Sequence, residues 1–249
     1  MDHVPGNLAY RVYQLIWEAL DWLYPPECAG CGKPGTRWCE ACQRSTVEIA
    51  PPICPVCGNP TLVDGLCQRC QAIRPFFTAL RSHTVFTGPV RQAIHRLKYR
   101  RDLGSGEALS RIMINSLRKL NWSLDIITCV PLGLARFKER GYNQATLLAR
   151  PIALAFRLPF LPRLLTRTRE TRTQVGLTVG ERQVNMADAF RLTNQPVLGK
   201  NILVVDDVAT SGATLNACAK ALVDEGAAKI YGFSLARAVF NPDNQIDLS

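Results

Sequence analysis

The sequence predicts an α/β protein: a parallel-sheet domain preceded by a small cysteine-rich module that folds around metal. Three observations carry this. Eight of the ten cysteines fall in four CxxC pairs within residues 28–70. Beyond about Leu80 the chain alternates short apolar runs with segments of helical periodicity, the order of a sheet whose strands are joined by crossover helices. The formal net charge of +10 is also unevenly spread: residues 1–75 hold six Lys/Arg against seven Asp/Glu, residues 76–200 hold 21 against seven, and residues 201–249 hold three against six. Domains are therefore expected at residues 1–75 and 76–249. So basic a central block is either a solvated surface or a site for a polyanion, whether a small phosphorylated substrate or a nucleic-acid backbone.

In chain order, the first element is a helix. Leu8, Val12, Leu15, Ile16, Leu20 and Leu23 recur at helical spacing, with Tyr10, Tyr13, Trp17 and Trp22 on other faces, which predicts an aliphatic stripe packed into the core. Its single Arg11 argues against a membrane-surface helix, which usually shows a basic face. Glu18 and Asp21 interrupt any apolar signal region and no basic segment precedes it. No apolar run is long enough to span a bilayer, so a cytoplasmic protein is expected.

The cysteine module follows. Its pairs are Cys28/Cys31, Cys39/Cys42, Cys54/Cys57 and Cys67/Cys70. Each CxxC places two thiolates on one tight turn, and two such pairs complete a tetrahedral four-sulfur site with no open position for chemistry. Two structural zinc ions are expected. Spacers such as AGCGKPG and PVCGNP bring little apolar core, so metal supplies most of the module's folding free energy. A disulfide framework is disfavoured without a secretory signal, and a redox motif by the fourfold recurrence. Spacing leaves open which pairs combine. Cys129 and Cys218 fall in apolar-periodic segments and read as buried core.

In the α/β region, DIITCVP (residues 125–131) reads as a buried strand ending in a turn, and residues 141–158 as a helix that Pro151 kinks. NILVVDD (residues 201–207) is the strongest strand, residues 212–226 a helix closed by Gly226, and residues 229–238 a final strand. Ligands of such sheets sit beyond the carboxyl ends of the strands, where Pro131-Leu132 and Asp206-Asp207 emerge. After Asp206 and Asp207 comes a small-residue run, Ala209, Thr210, Ser211, Gly212, Ala213 and Thr214, leading into a helix. Its backbone N–H groups and hydroxyls make a phosphate cradle. Neither GxGxxG nor Gly-Lys-Ser/Thr is present, so a dinucleotide fold of the usual kind and a P-loop are both unsupported. Carboxylates repel phosphate but accept hydrogen bonds from hydroxyls, so an acid pair beside a cradle reads as a clamp for the vicinal diol of a phosphorylated sugar. In RFKERGYNQ (residues 136–144), Arg136, Lys138 and Arg140 alternate just past a strand end, where several cations can meet a polyphosphate.

ILVVDDVATSGAT (residues 202–214) resembles the phosphoribosyl pyrophosphate motif of type I phosphoribosyltransferases. With YPPECAGCG, the CxxC pairs, VFTGPVRQAIHRLKYR, VPLGLARFKERGYNQATLLA and TRTQVGLTVGERQVNMADAF, nearly the whole chain resembles the ComF (ComFC) family of competence-associated phosphoribosyltransferase-like proteins. The resemblance implies a type I phosphoribosyltransferase-like sheet and binding of phosphoribosyl pyrophosphate. Asp206 and Asp207 hold the ribose hydroxyls, Ala209 to Thr214 the 5′-phosphate, and Pro131 and Leu132 turn near the pyrophosphate, with Lys138, Arg140 and Asn143 close by. It further implies displacement at the anomeric carbon assisted by magnesium, with Asp206, Asp207, Lys138 and Arg140 as the catalytic set. The acceptor is not given, because base recognition depends on a variable hood whose place falls to the metal module or to residues 76–100. A mobile loop is expected at residues 164–178, where Arg167, Arg169 and Arg172 precede a capping box, Thr178 to Glu181.

A different class of function competes. In RQAIHRLKYRR (residues 91–101), Arg91, His95, Lys98 and Arg101 share one helical side and Tyr99 is available to stack on a base. Such a surface suits single-stranded DNA and partners in DNA uptake or recombination. A regulator that senses the phosphoribosyl ligand without chemistry is the third possibility.

Overall fold

The structure, a computed structural model, describes residues 7–168 and 189–238. Its core follows from the period-two alternation of one strand. In β5 (Asn201–Ala209), Ile202 and Val204 belong to one apolar cluster, Leu203 and Val205 to another, and all four are fully buried. Such a strand must be covered on both faces. It lies inside a parallel sheet of order β1-β6-β5-β2, with β1 at Ala79–Val85, β2 at Ile126–Cys129 and β6 at Lys229–Arg237. On one face, α4 (Gly88–Tyr99), α5 (Leu103–Arg118) and α7 (Gln144–Phe156) bring Ile94, Leu97, Leu109, Met113, Leu148 and Ile152 onto Leu203, Val205 and Phe233. On the other, the helix α8 (Ala213–Val223) and the antiparallel pair β3 (Leu165–Arg167) and β4 (Phe190–Leu192) bring Leu215, Cys218, Leu222 and Phe190 onto Ile202, Val204 and Ile230. Cys129 and Cys218 are buried in these clusters, as expected. Pro151 is accommodated within α7 without ending it.

β1 and α5 lie outside the sequence-based expectation. ALRSHTV carries no apolar run because β1 is an edge strand whose polar side chains bond its neighbours: Ser82 Oγ lies 2.7 Å from Ser234 Oγ, and His83 Nδ1 lies 2.6 Å from Ser116 Oγ of α5. A second difference concerns the end of β5. It does not stop at Asp207; pairing of Val208 with Ala236 and Ala209 with Arg237 carries it past the acids into the small-residue run. The small-residue loop thus shrinks to Thr210, Ser211 and Gly212, and Ala213 and Thr214 already belong to α8.

The first helix, α1 (Leu8–Leu23), corrects the expected face. Leu8, Val12, Leu15, Ile16 and Leu23 are exposed, whereas Tyr10 is buried and Tyr13 and Trp17 continue its side. These aromatics recur at i, i+3 and i+7, and they win the interior because they bring area plus a polar or π-face handle. Tyr10 stacks on Tyr13, and the Arg37 guanidinium lies 4.5 Å over Trp17 while pairing with Asp21. No described helix is long and apolar enough to cross a membrane.

The cysteines form two clusters, Cys28/Cys31/Cys39/Cys42 and Cys54/Cys57/Cys67/Cys70, with all four sulfurs of each within 4.8 Å of one another. Neighbouring CxxC pairs therefore combine. Sulfur separations of 3.6 Å (Cys28–Cys42 and Cys57–Cys67) and 3.7 Å (Cys31–Cys39) suit the edges of a tetrahedron built on Zn–S bonds of about 2.3 Å. The two halves are one design repeated. PPECAGCGKP and PPICPVCGNP make the same turns: Cys28 N–H donates to Lys33 O and Cys54 N–H to Asn59 O, both at 2.8 Å, while Gly32 and Gly58 both take positive φ. Burial alone would raise the Cys28 thiol, but backbone N–H groups of Cys39, Cys31 and Gly30 bring it down to about 6; those of Cys57, Cys67 and Val56 do the same for Cys54. α2 (Glu40–Arg44) and α3 (Gln68–Ala72) each begin on the third cysteine of their set.

The two ribbons dock differently. The first leans on the helices, through Glu27 at 3.5 Å from Arg96 and the Arg37 contacts. The second completes the sheet edge: Leu80 N–H donates to Val56 O at 2.7 Å, Arg81 reaches Pro55 O at 2.9 Å, and Arg237 donates to Cys57 O. A Cβ on Gly58 would lie 2.5 Å from Leu80 O, so only glycine lets the knuckle approach.

One zinc ion per cluster is expected from metal analysis of natively purified protein. Cys57→Ser should release the β1 edge, with the Leu80 amide exchanging faster by hydrogen exchange, whereas Cys31→Ser should loosen α1 and the first ribbon and leave Leu80 protected. Equal loss of Leu80 protection in both variants would contradict this division.

Candidate functional site

The carboxyl ends of β2 and β5 open into a cavity of about 360 Å³, walled by α4, by the turn after β2 and by the start of α8. Strand alternation sends the two acids apart. Asp206 follows Val204 toward the α8 side, and Asp207 follows Val205 toward α4 and α7. They are only 9% and 4% exposed. Asp206 Oδ1 accepts the Asp207 N–H at 2.9 Å. Asp207 Oδ2 lies 2.5 Å from Lys98 Nζ, an ion pair whose ammonium angle leaves that oxygen without an aligned hydrogen bond, and Oδ1 accepts from Gln144 Nε2 at 3.4 Å. Gln144 is in turn held by Arg140, whose guanidinium lies 5.5 Å over the Tyr99 ring.

This asymmetry splits the pair electrostatically. Burial and then the neighbouring Asp207 charge push the Asp206 carboxyl well above the ordinary range. Burial pushes Asp207 the same way, but the Lys98 ammonium, with smaller contributions from Asp206 and Gln144, more than offsets it and holds Asp207 below that range. Burial and mutual repulsion thus favour the proton on Asp206 and the charge on Asp207.

The predicted residues fall into three groups. Pro131, Leu132, Asn143, Asp206, Asp207, Ala209, Thr210, Gly212, Ala213 and Thr214 line the cavity. Asn143 is structural as well: its Nδ2 donates to Val130 O at 2.9 Å and its Oδ1 caps α7 at the Ala145 N–H, 3.0 Å away. Ser211 is buried, its hydroxyl 3.4 Å from the Ala213 N–H. Lys138 and Arg140, on the short helix α6 (Leu134–Arg140), are not on the wall; Lys138 points to solvent and Arg140 acts through Gln144. Arg136 of the same helix is on the wall instead, because its predecessors place it one turn nearer the strand end. Gly212 is left-handed at φ 75°, and a Cβ there would meet Leu80 Cδ2 at 3.1 Å, so its glycine answers to the turn and the core.

Sequence reasoning treated residues 91–101 as a separate surface. The structure brings Arg91, His95, Lys98 and Tyr99 of α4 onto this same cavity, with Arg167 and Phe86, and leaves Arg101 outside it. Gln144 was not singled out; its place directly after the α7 cap, next to Asn143, was the available signal. Of the expected loop, Arg167 is described, while Arg169, Arg172, Thr178 and Glu181 lie outside the described residues.

Magnesium fits the acid pair poorly. Asp207 already meets Lys98 and Gln144, and Asp206 shares one oxygen with backbone, so direct coordination by both acids would have to displace protein donors. The thiolate clusters, by contrast, fit zinc in donor type, number and spacing.

Residues 19–71 match the double zinc ribbon domain family. The DNA utilization protein YhgH of Escherichia coli (strain K12) is 34% identical over 207 residues, spanning 81% of this chain and 90% of that protein. Competence protein ComFC of Bacillus subtilis (strain 168) is 28% identical over 214 residues, 83% of this chain and 86% of that one. Among solved structures, adenine phosphoribosyltransferase from Thermoanaerobacter pseudethanolicus overlaps 55% of this chain and 82% of its own at 16% identity and a TM-score of 0.37, too loose a fit to carry an argument. Zinc ribbons at one end and an identity sustained along four-fifths of the chain lead to one assignment: the protein belongs to the ComF family, with YhgH and ComFC as relatives.

Proposed function

We propose that the cavity binds phosphoribosyl pyrophosphate, and that the protein is a phosphoribosyltransferase-like factor serving DNA uptake. The observation that carries this reading is the meeting, along one cavity, of a buried carboxylate pair, a helix N-terminus turned by Gly212, and the basic residues Arg91, Arg136 and Arg167. In this reading Asp206 and Asp207 accept the ribose hydroxyls, the first turn of α8 with Thr210 and Thr214 takes the 5′-phosphate, and Arg136 by the Pro131-Leu132 turn faces the pyrophosphate. Magnesium, bound with a pyrophosphate-bearing ligand, would supply charge neutralisation to that group, which Arg136 and the Pro131-Leu132 turn would face. The chain's own part is orientation and a preorganised field as the anomeric C–O bond breaks and the acceptor closes on that carbon. The cellular setting, a cytoplasmic protein working beside DNA-uptake or recombination proteins, is supported by the names of its relatives, a competence protein and a DNA utilization protein.

One observation favours a second reading. The cationic and aromatic residues of α4 share the cavity with the acid pair, an arrangement that also suits the end of a single DNA strand. Salt separates the two, because binding through several backbone phosphates weakens steeply as salt rises.

Three outcomes are expected. Asp207→Ala should abolish calorimetric binding of phosphoribosyl pyrophosphate while the protein stays folded; unchanged affinity in the Asp206→Ala/Asp207→Ala double variant would remove the ligand from this cavity.

Arg136→Ala should weaken that ligand by about 1–3 kcal/mol, as for a partly buried charge-assisted contact. Lys138→Ala should leave its affinity unchanged. The reverse order would return the pyrophosphate to the outer face of α6.

Asp206 binds its proton more tightly folded than unfolded, so its contribution to stability is complete below the ordinary carboxylate range and is lost as pH rises through its raised folded value. Asp206→Asn should therefore gain stability over the parent protein as pH is raised above the ordinary carboxylate range, read from urea midpoints. A difference that does not change with pH would show that Asp206 ionises normally.

A further inference from the structure

The last turn of α4 is fixed before its side chains are considered. Leu97 is wholly buried, and its carbonyl accepts from the Tyr142 hydroxyl between α6 and α7. Lys98 therefore leaves a rigid point, and its ammonium, 23% exposed along the side chain, sits 2.5 Å from Asp207 Oδ2. Gln144 meets the other oxygen at 3.4 Å and is itself held by Arg140. Protein donors thus meet both oxygens of Asp207. Magnesium requires near-octahedral oxygen ligands at about 2.0–2.1 Å, and an ammonium this close to the carboxylate occupies the same approach.

We propose that Lys98 is the resident counter-cation of the acid pair, so that a ribose 5-phosphate group is held without metal and only the pyrophosphate part of a ligand calls for magnesium. The ligand rests on the function proposed above; the role of Lys98 does not. The chemistry follows from charge. An ionised carboxylate accepts a ribose hydroxyl more strongly than a neutral carboxyl does, and two adjacent buried carboxylates lacking a cation would repel one another and the phosphate. An ammonium supplied by the fold removes that repulsion at all magnesium concentrations. The site is thereby suited to 5-phosphoribosyl compounds that carry no pyrophosphate, including a nucleoside 5′-monophosphate of the kind a transfer reaction releases. Arg91, Arg136 and Arg167 line the same cavity.

Two measurements on zinc-loaded, full-length protein test this. Calorimetry with ribose 5-phosphate should give the same affinity with and without magnesium for the parent protein and for Lys98→Arg. Lys98→Met should lose about tenfold or more in magnesium-free buffer, the scale of one charge-assisted contact, and recover when magnesium is added. A parent protein that needs magnesium for ribose 5-phosphate, or a Lys98→Met loss that magnesium does not restore, overturns the proposal. The second measurement needs no ligand. Electron paramagnetic resonance with manganese alone should find no bound ion that depends on Asp207 in the parent protein, a new site in Lys98→Met, and its loss in Lys98→Met/Asp207→Asn. Failure of every variant to bind ribose 5-phosphate would overturn the ligand reading, and the manganese result would still decide the role of Lys98. An Asp207-dependent manganese site in the parent, or none in Lys98→Met, refutes it.

Discussion

Two carboxylates at successive positions of a buried strand cannot both be desolvated and charged, and much of this site is arranged around that constraint. The strand resolves it by direction, sending Asp206 and Asp207 to opposite faces, and then by unequal partners. Asp207 receives an ammonium and an amide. Asp206 receives a single backbone N–H and the greater need for a proton. The placement of α4 and α7 follows, since Lys98 and Gln144 must arrive from the same face. The pinning of Leu97 by Tyr142 and the restraint of Gln144 by Arg140 hold those partners in place. Burial is affordable here only because each donor is itself supported.

The zinc ribbons answer a different requirement. A parallel sheet of four strands has two edges, and β1 exposes backbone that would otherwise be open to pairing. Duplication supplies two knuckles of one design, yet they are used unequally. The first is fitted among α1, α4 and the start of α5, where a Cβ on Gly104 would overlap the Arg37 guanidinium. The second places its carbonyls against β1 and β6. Metal binding therefore substitutes for the apolar area that so short a segment lacks.

How much of this was legible in the sequence depended on whether a residue's neighbours were near in the chain. The CxxC pairs, the apolar β5 and the small-residue turn before α8 are local patterns, and they led to the right architecture and to the β5 and α8 side of the cavity wall. β1 was hidden because an edge strand bonded through Ser82, His83 and Arg81 has no apolar alternation to show. In α1 two stripes competed, and periodicity cannot tell an aliphatic face from an aromatic one when the deciding partners, Arg37 and the end of α7, are distant in sequence. Lys98 and Gln144 were equally out of reach, separated from Asp207 by 109 and 63 positions. Alternating cations in RFKERGYNQ suggested three equivalent residues, whereas the turn of α6 puts only Arg136 on the wall.

The bond from Arg237 to the Cys57 carbonyl reaches further than the module it belongs to. Arg237 is the register partner of Ala209, and the next residue, Ala238, donates to Ala209 O at 3.0 Å. Ala209 is the last strand residue before the turn that carries Thr210 and Gly212. A knuckle shaped by zinc is thus three residues of contact away from the cradle, with a buried guanidinium as the link. Under the proposed function, metal supply and ligand capture become one property of the molecule: a cell starved of zinc would lose the backing of the turn before α8, although no zinc ligand borders the cavity.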